Sequence, residues 1–295
     1  MSNLKELENK AIQRLKLFEP ETEPYYLCYS GGKDSDVIRI LADLAGVKHD
    51  IVHNHTTVDA PETVYYVRSI PNIIIDYPKT SMWDLIPRKL MPPTRLARYC
   101  CAELKERGGQ GRVKVTGVRW AESNNRKESA GTIKIIGSPK TTQKYADEIG
   151  VEYHVSKQQG LIMNDDNDES RRMVEHCYRT TSTMVNPIVD WTDDDVWEFL
   201  NHYGCRSNPL YECGFKRIGC IGCPMASKNR YTQFRLYPKY KNNYIKSFDR
   251  MVAERKRRNL QTKQQWESGE DVFKWWMQED INQITFDDLE EREEK

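Results

Sequence analysis

The chain has no run of about 18 apolar residues, so it offers no membrane-spanning helix. It also lacks an excess of either charge: 45 Lys and Arg face 44 Asp and Glu, a net of +1 over 295 residues. No whole-molecule field therefore draws in nucleic acid, and any basic surface has to be local. Internal repeats and low-complexity linkers are absent. Histidine is scarce, with six residues and none beside the Cys220-Ile221-Gly222-Cys223 segment. No cysteine follows Cys223, up to the closing EEREEK. The opening MSNLKELENKAIQRLKLFEP has the pattern of an amphipathic helix rather than of a secretory leader. A soluble, cytoplasmic protein with no membrane partner is expected.

What is present suits a core under a heavily charged surface, with 38% hydrophobic and 30% charged residues. The pattern predicts a helix over Leu4–Leu17, a strand over Tyr25–Tyr29 and a helix from Asp36 to Leu44. A second strand follows over Lys48–His55, then a helix from Pro61 to about Ser69, a strand at Ile73–Ile75 and a fourth over Arg112–Val118. This alternation implies an α/β fold with a doubly wound parallel sheet, whose ligands sit beyond the carboxyl ends of the strands. Gly31-Gly32, Thr56-Thr57 and Gly117-Val118-Arg119 all fall on that edge. Residues 121–185 are polar and less regular. The acidic run from Asn164 to Glu169 reads as a solvated helix start, with a cation site as the alternative. Thr192 and Asp195 form a capping box before Val196 and Trp197.

The segment YLCYSGGKDSDVIRIL carries the sharpest chemistry. A short apolar strand turns through Ser30-Gly31-Gly32-Lys33-Asp34-Ser35 into a helix. Adjacent glycines leave no Cβ to block a phosphate, and the helix start directs free N–H groups and its positive dipole end at the same place. Lys33 adds a cation, and Ser30 and Ser35 add hydroxyls. Asp34 repels a bare phosphate, which makes a magnesium ion a further expectation. The spacing is not that of a Walker loop.

Eight cysteines are many for a cytosolic chain, where thiols serve as metal ligands or redox groups before they serve as disulfides. Cys220 and Cys223 form a CxxC that can grip a metal ion or two irons of a cluster. Cys100, Cys101, Cys177, Cys205 and Cys213 are further candidates, while Cys28 sits inside the first strand as an inert thiol. An all-sulfur site fits a 4Fe-4S cluster or a structural zinc, and sequence alone does not separate them.

The loop resembles that of the N-type ATP pyrophosphatases, the PP-loop proteins. With SGGKDS stand DAPET (59–63), RYCCAELKE around Cys100, TGVRWAESNNR (116–126), NPIVDWTDDDVWEFL (186–200) and NPLYECGFKRIGCIGCP (208–224). Together, over roughly residues 25–225, they resemble the phosphoadenosine phosphosulfate reductase family. That family includes assimilatory sulfonucleotide reductases and DndC-like relatives that activate with ATP and insert sulfur into nucleic acids. The resemblance implies an adenine-nucleotide alpha-hydrolase-like (HUP) fold. It places nucleotide phosphates at Ser30 to Ser35, with Gly117, Arg119, Glu122, Ser123 and Arg126 around the anionic end. Guanidinium groups suit that role, being permanently charged forks; Arg126 also reads as a solvated helix charge. For the cluster it offers two sets: Cys100, Cys101, Cys220 and Cys223, or Cys177, Cys205, Cys220 and Cys223, with Cys213 as a substitute for Cys205. The second is favoured, because adjacent side chains diverge, which leaves Cys100 and Cys101 free for redox or sulfur carriage. The complete loop and the absence of a tail cysteine, where reductases carry a degraded loop and a catalytic Cys-Gly tail, favour ATP over an adenylyl sulfate. Lys33, Asp34, Cys100 and Cys101 are the expected catalytic groups.

Two domains are expected: residues 1–225 with the loop and the cysteines, and a basic helical extension over 226–295. From Lys228 to Lys263 about a dozen Lys and Arg are interleaved with Tyr231, Phe234, Tyr237, Tyr240 and Tyr244. That suits a nucleic-acid backbone with stacked bases, and equally an amphipathic helix with a basic side. Trp266, Phe273, Trp275 and Trp276 are expected to dock the tail. A sulfur donor or a partner subunit completes the expected partners.

Overall fold

Among the described residues eight strands form one sheet, in the order β3-β2-β1-β4-β8-β5-β7-β6. They are β1 (Tyr25–Cys28), β2 (His49–Asn54), β3 (Ile74–Asp76), β4 (Lys114–Val115), β5 (Ile133–Ile136), β6 (His154–Val155), β7 (Leu161–Met163) and β8 (Ser182–Val185). This computed structural model describes residues 2–137, 139–157, 160–260 and 266–278. Strands β3, β2, β1, β4 and β8 pair in parallel. Beyond β8 the sheet continues antiparallel through β5, β7 and β6. The doubly wound parallel half is thus as expected. The antiparallel half is an addition, built from the segment that looked irregular.

From β1 the chain winds to one side through β2 and β3, then crosses to lay β4 on the other side of β1. The order reverses between β1 and β4, the place where open α/β sheets bind ligands. Leu27, Val115 and Val185 fill the sheet interior, and the apolar stripe of helix Lys33–Ala45 (Val37, Ile38, Leu41) packs with them in one core. Helix Ser2–Leu17 joins that core through Ala11 and Leu15. Its buried Arg14 donates to Asp166 at 2.9 Å and to Asp190 at 2.9 Å. In the acidic run, therefore, Asp166 meets a cation of the protein, and Asn167 caps helix Asp168–Cys177 by accepting from Ser170 N at 2.9 Å.

The chain divides into two units, and not at residue 225. The first contains residues 1–54, 61–76 and 108–218 with the whole sheet; the second contains 55–60, 77–107 and 219–295. The expected linear boundary fails because the C-terminal helices pack on an insertion from mid-chain. Helix Pro238–Arg257 meets helix Met82–Lys89 through Arg250 and Asp84, 2.9 Å apart, and through the edge-on rings of Trp83 and Tyr244. Trp276, on helix Gly269–Met277, donates from Nε1 to Pro93 O at 2.6 Å. Phe234 and Tyr244, expected as base-stacking faces, are only 5% and 1% exposed and belong to the interior of the second unit. Tyr240 donates to Asp59 O, while Tyr231 stays exposed. Residues 261–263 of the basic stretch and 279–295 of the extension lie outside the described residues. No described helix is long and apolar enough to cross a membrane.

Candidate nucleotide loop and four-cysteine pocket

In the first unit, β1 ends at Cys28, and the chain turns through Gly31, whose φ of 76° is left-handed, into the helix that starts at Lys33. Asn208 holds this turn by donating to Gly31 O and to Thr63 Oγ1, both at 3.0 Å. The Ser35 hydroxyl receives Gly32 N at 3.1 Å and donates to Gly32 O at 2.6 Å. Ser30 Oγ donates to Ser35 Oγ at 3.3 Å. At the end of β4, a Cβ on Gly117 would lie 2.9 Å from both the Cβ and the carbonyl oxygen of Asp34. Glycine is needed there because the two carboxyl-end loops touch.

Four charged groups then alternate in sign. Lys33 Nζ donates to Asp193 at 2.8 Å and lies 3.5 Å from Asp34. Arg119 donates from Nε to Asp34 at 2.7 Å and from NH2 to Asp193 at 2.5 Å. Its NH1 reaches Trp191 O at 3.3 Å. The Arg119 side chain is 2% exposed, whereas Asp193 is 67% exposed. Hydrogen bonding from Lys33, then from Arg119, holds the Asp193 carboxyl below the usual range. Arg119, expected to fork onto the nucleotide, is thus committed to two carboxylates and positions them. Glu122 accepts from Arg119 N at 3.1 Å and lies 3.9 Å from both Arg126 and Arg217. Ser123 caps the helix Asn124–Ser129 by accepting from Arg126 N.

Behind the loop, Asp36 is fully buried and accepts from Tyr29 at 2.5 Å, Ser207 at 2.6 Å and Tyr66 at 2.9 Å. Burial raises its carboxyl above the usual range, against those three donors and Arg39. The sequence reading assigned no role to Asp36, Asn208 or Tyr211. Asp193 it read only as part of a capped helix start. Each sits inside a quoted motif, but only the fold shows what it faces.

In the second unit, Cys100, Cys101, Cys220 and Cys223 line one pocket with Thr56, Lys105 and Tyr244. Cys100 and Cys101 occupy the first turn of helix Tyr99–Leu104. Successive helix positions lie about 100° apart, and a pocket facing the gap between them takes both. The expectation that adjacent cysteines diverge too far to share a site does not hold. Cys220 and Cys223 are drawn together by a turn in which Cys223 N donates to Cys220 O at 3.2 Å. That turn is fixed by Ile221 N on Val58 O at 2.8 Å and by Tyr244 OH on Ile221 O at 2.9 Å. Cys177 and Cys205 do not line the pocket. Cys177 is 2% exposed in the first unit's core, and Cys205 packs against that core. Cys213 is exposed.

The electrostatics of the pocket fit a cationic centre. The hydrogen bond from Cys100, then Arg98, pushes Cys101 down to about 5 against the effect of burial, while Cys100 is driven up. Arg98 NH2 lies 3.4 Å from Cys101 Sγ. Negative charge on Cys220, then on Asp59, Cys223 and Cys101, raises the Lys105 ammonium above its usual value. Four soft sulfur donors lining one pocket suit a thiophilic metal centre. By contrast, burial pushes Cys28 up to about 11 against the charge of Lys114, as befits an inert thiol.

A phosphoadenosine phosphosulfate reductase domain matches residues 24–226. Among curated proteins, an uncharacterised protein of Methanocaldococcus jannaschii is 24% identical over 259 residues, covering 82% of this chain and 53% of its own length. The chain spans about half the length of such relatives, since an uncharacterised protein of Escherichia phage 186, 25% identical, is covered over 45% of its length and 61% of this chain. An adenosine 5'-phosphosulfate reductase of Allochromatium vinosum is 40% identical over 42 residues, 14% of this chain and 16% of its own. The solved phosphoadenylyl-sulfate reductase of Candida auris is 16% identical, covers 75% of this chain and 95% of its own, and gives a TM-score of 0.41. The domain match takes in more than half of the chain, from the residue before β1 to beyond Cys223, and the chain therefore belongs to the phosphoadenosine phosphosulfate reductase family.

Proposed function

We propose that this chain is an ATP-using enzyme of sulfur chemistry. The observation that carries the proposal is the complete SGGKDS loop at the β1/β4 switch point, with Lys33 and Arg119 set against Asp34 and Asp193. In this reading the ATP phosphates lie over Ser30 to Ser35, and Asp34 and Asp193 offer oxygens to the accompanying magnesium ion. An acceptor oxygen forms a bond to the α-phosphorus as the bridging P–O bond breaks, and pyrophosphate leaves with that electron pair. Lys33 neutralises charge that grows on the departing phosphates. A sulfur nucleophile then displaces AMP from the activated acceptor.

Cys100, Cys101, Cys220 and Cys223 hold a 4Fe-4S cluster in this reading. When bound, the cluster would supply electrons, its four irons each held by one of these cysteines. Arg98 and Lys105 offset the negative charge of its thiolates. The nucleotide site also includes Gly117, which admits Asp34, and the outer group of Glu122, Ser123 and Arg126. Partners follow from the chemistry: a nucleotide, a sulfur donor and an acceptor.

One observation favours a second reading, reduction of an adenylyl sulfate. A cysteine pair and a CxxC share one pocket, the set that the family resemblance attaches to the assimilatory reductases. The test of the first reading is pyrophosphate release from ATP by anaerobically purified protein, with candidate acceptors and a sulfur source. Release that vanishes in Lys33→Ala supports it, and release untouched by that substitution refutes it.

A further inference from the structure

We propose that Tyr211 is a phosphate-binding residue of the nucleotide site, its hydroxyl donating to a phosphoryl oxygen held over the Ser30–Ser35 loop. This rests on the reading of that loop as the ATP site. The phenol oxygen accepts the Lys33 N–H at 2.9 Å, the first N–H of the helix that faces the phosphates. A Cβ on Gly32 would lie 3.2 Å from that same oxygen, so the hydroxyl stands directly over the loop glycine. Accepting from Lys33 uses one lone pair and leaves the phenol proton to be given away. Among the described residues that proton has no hydrogen-bond acceptor.

The group is also held in place before any ligand arrives. Ser207 donates to Asp36 at 2.6 Å, Asn208 donates to Gly31 O at 3.0 Å, and Leu210 N donates to Asn208 Oδ1 at 3.1 Å. Residues 207–211 thus form a strap, braced from within by Leu210 N on Asn208 and bonded to the loop and its helix through Ser207, Asn208 and Tyr211. The Tyr211 ring meets Trp197 edge-on at 5.1 Å. Burial raises the phenol well above its usual value, opposed by the Lys33 N–H and reinforced by Asp34, Asp36 and Asp193. The group is therefore a protonated donor throughout the working pH range. A hydrogen bond to a charged oxygen in such a fixed geometry is strong.

Isothermal titration of ATP into the wild type, Tyr211→Phe, Tyr211→Ala and Lys33→Ala tests the assignment. The expected result is that Tyr211→Phe weakens ATP binding by about ten- to a hundredfold, with Tyr211→Ala only slightly worse. The thermal midpoint of Tyr211→Phe without nucleotide should stay close to that of the wild type. Wild-type affinity in Tyr211→Phe overturns the proposal. Tighter binding also overturns it, because the hydroxyl would then be occupying the place of a phosphate oxygen. A large fall in the nucleotide-free midpoint, matching the loss of affinity, assigns Tyr211 a structural role and overturns it too. If Lys33→Ala loses ATP while Tyr211→Phe does not, the loop reading stands and only the tyrosine assignment falls. If the wild type does not bind ATP, or Lys33→Ala binds it as well as wild type, both fall.

Discussion

At the scale of single residues, the loop sets buried cations against carboxylates. Lys33 and Arg119 are both nearly buried, and each is matched by Asp34 and Asp193. Arg119→Ala should lower stability by about 1–2 kcal/mol, because it removes a buried guanidinium's hydrogen bonds to Asp34, Asp193 and Trp191 O, while the carboxylates left behind are partly solvated. Chemical denaturation checks the value, and a loss below about 0.5 kcal/mol would contradict a stabilising role for these hydrogen bonds. The pH dependence has two opposite contributions. Asp193 is held below the usual carboxylate range, so its contribution is present above the unfolded value near 4 and is lost as pH falls through the depressed one. Asp36 is raised, so it weakens the fold at neutral pH, and that penalty is relieved as pH falls through its raised value. Relative to the wild type, the denaturation midpoint of Asp193→Asn should be shifted down and that of Asp36→Asn up at pH 7, and both differences should close as the pH is lowered to 3.

At the scale of elements, helix Asp193–His202 matters because its first residue is the partner of Lys33. Thr192 accepts from Asp195 N at 3.2 Å, and Asp195 accepts from Thr192 N at 2.7 Å. Thr192→Ala should cost about 1 kcal/mol and, by loosening Asp193, also weaken nucleotide binding. A thermal shift series with and without ATP separates the two effects. This capping box was readable from four residues, as were the loop and the strands around it, because Gly-Gly turns, caps and apolar runs are local signals. Strands β5 to β7 were not. Each has two to four residues, too few for alternation to show, and their pairing is set by partners distant in sequence. The same holds for the site: Lys33 announces itself in the loop, whereas Asp193 and Tyr211 reach it from 160 and 178 residues away.

At the scale of the whole molecule, the second unit is assembled from three stretches of chain, and this assembly decides which cysteines meet. Cys100 and Cys101 come from the mid-chain insertion and Cys220 and Cys223 from after the last strand. The family resemblance and the divergence of adjacent side chains favoured Cys177 and Cys205 instead, since nothing local shows that Cys177 faces the core of the sheet unit. Anaerobically purified protein should carry about four irons per chain and absorb in the visible range. Serine at Cys100, Cys101, Cys220 or Cys223 should lower the iron content, while serine at Cys177 or Cys205 should leave it unchanged. Zinc in place of iron would reject the cluster, and iron lost only with Cys177 or Cys205 would reject the ligand set.

One head-to-head assay tests whether ATP, rather than an adenylyl sulfate, works at the Ser30–Ser35 loop. The same anaerobic preparation is given ATP with acceptors and a sulfur source, or an adenylyl sulfate with a thiol reductant. Pyrophosphate and sulfite are then measured side by side. Lys33-dependent pyrophosphate and no sulfite above background are expected. Robust sulfite formation that depends on Cys100 or Cys101, without pyrophosphate from ATP, would contradict it.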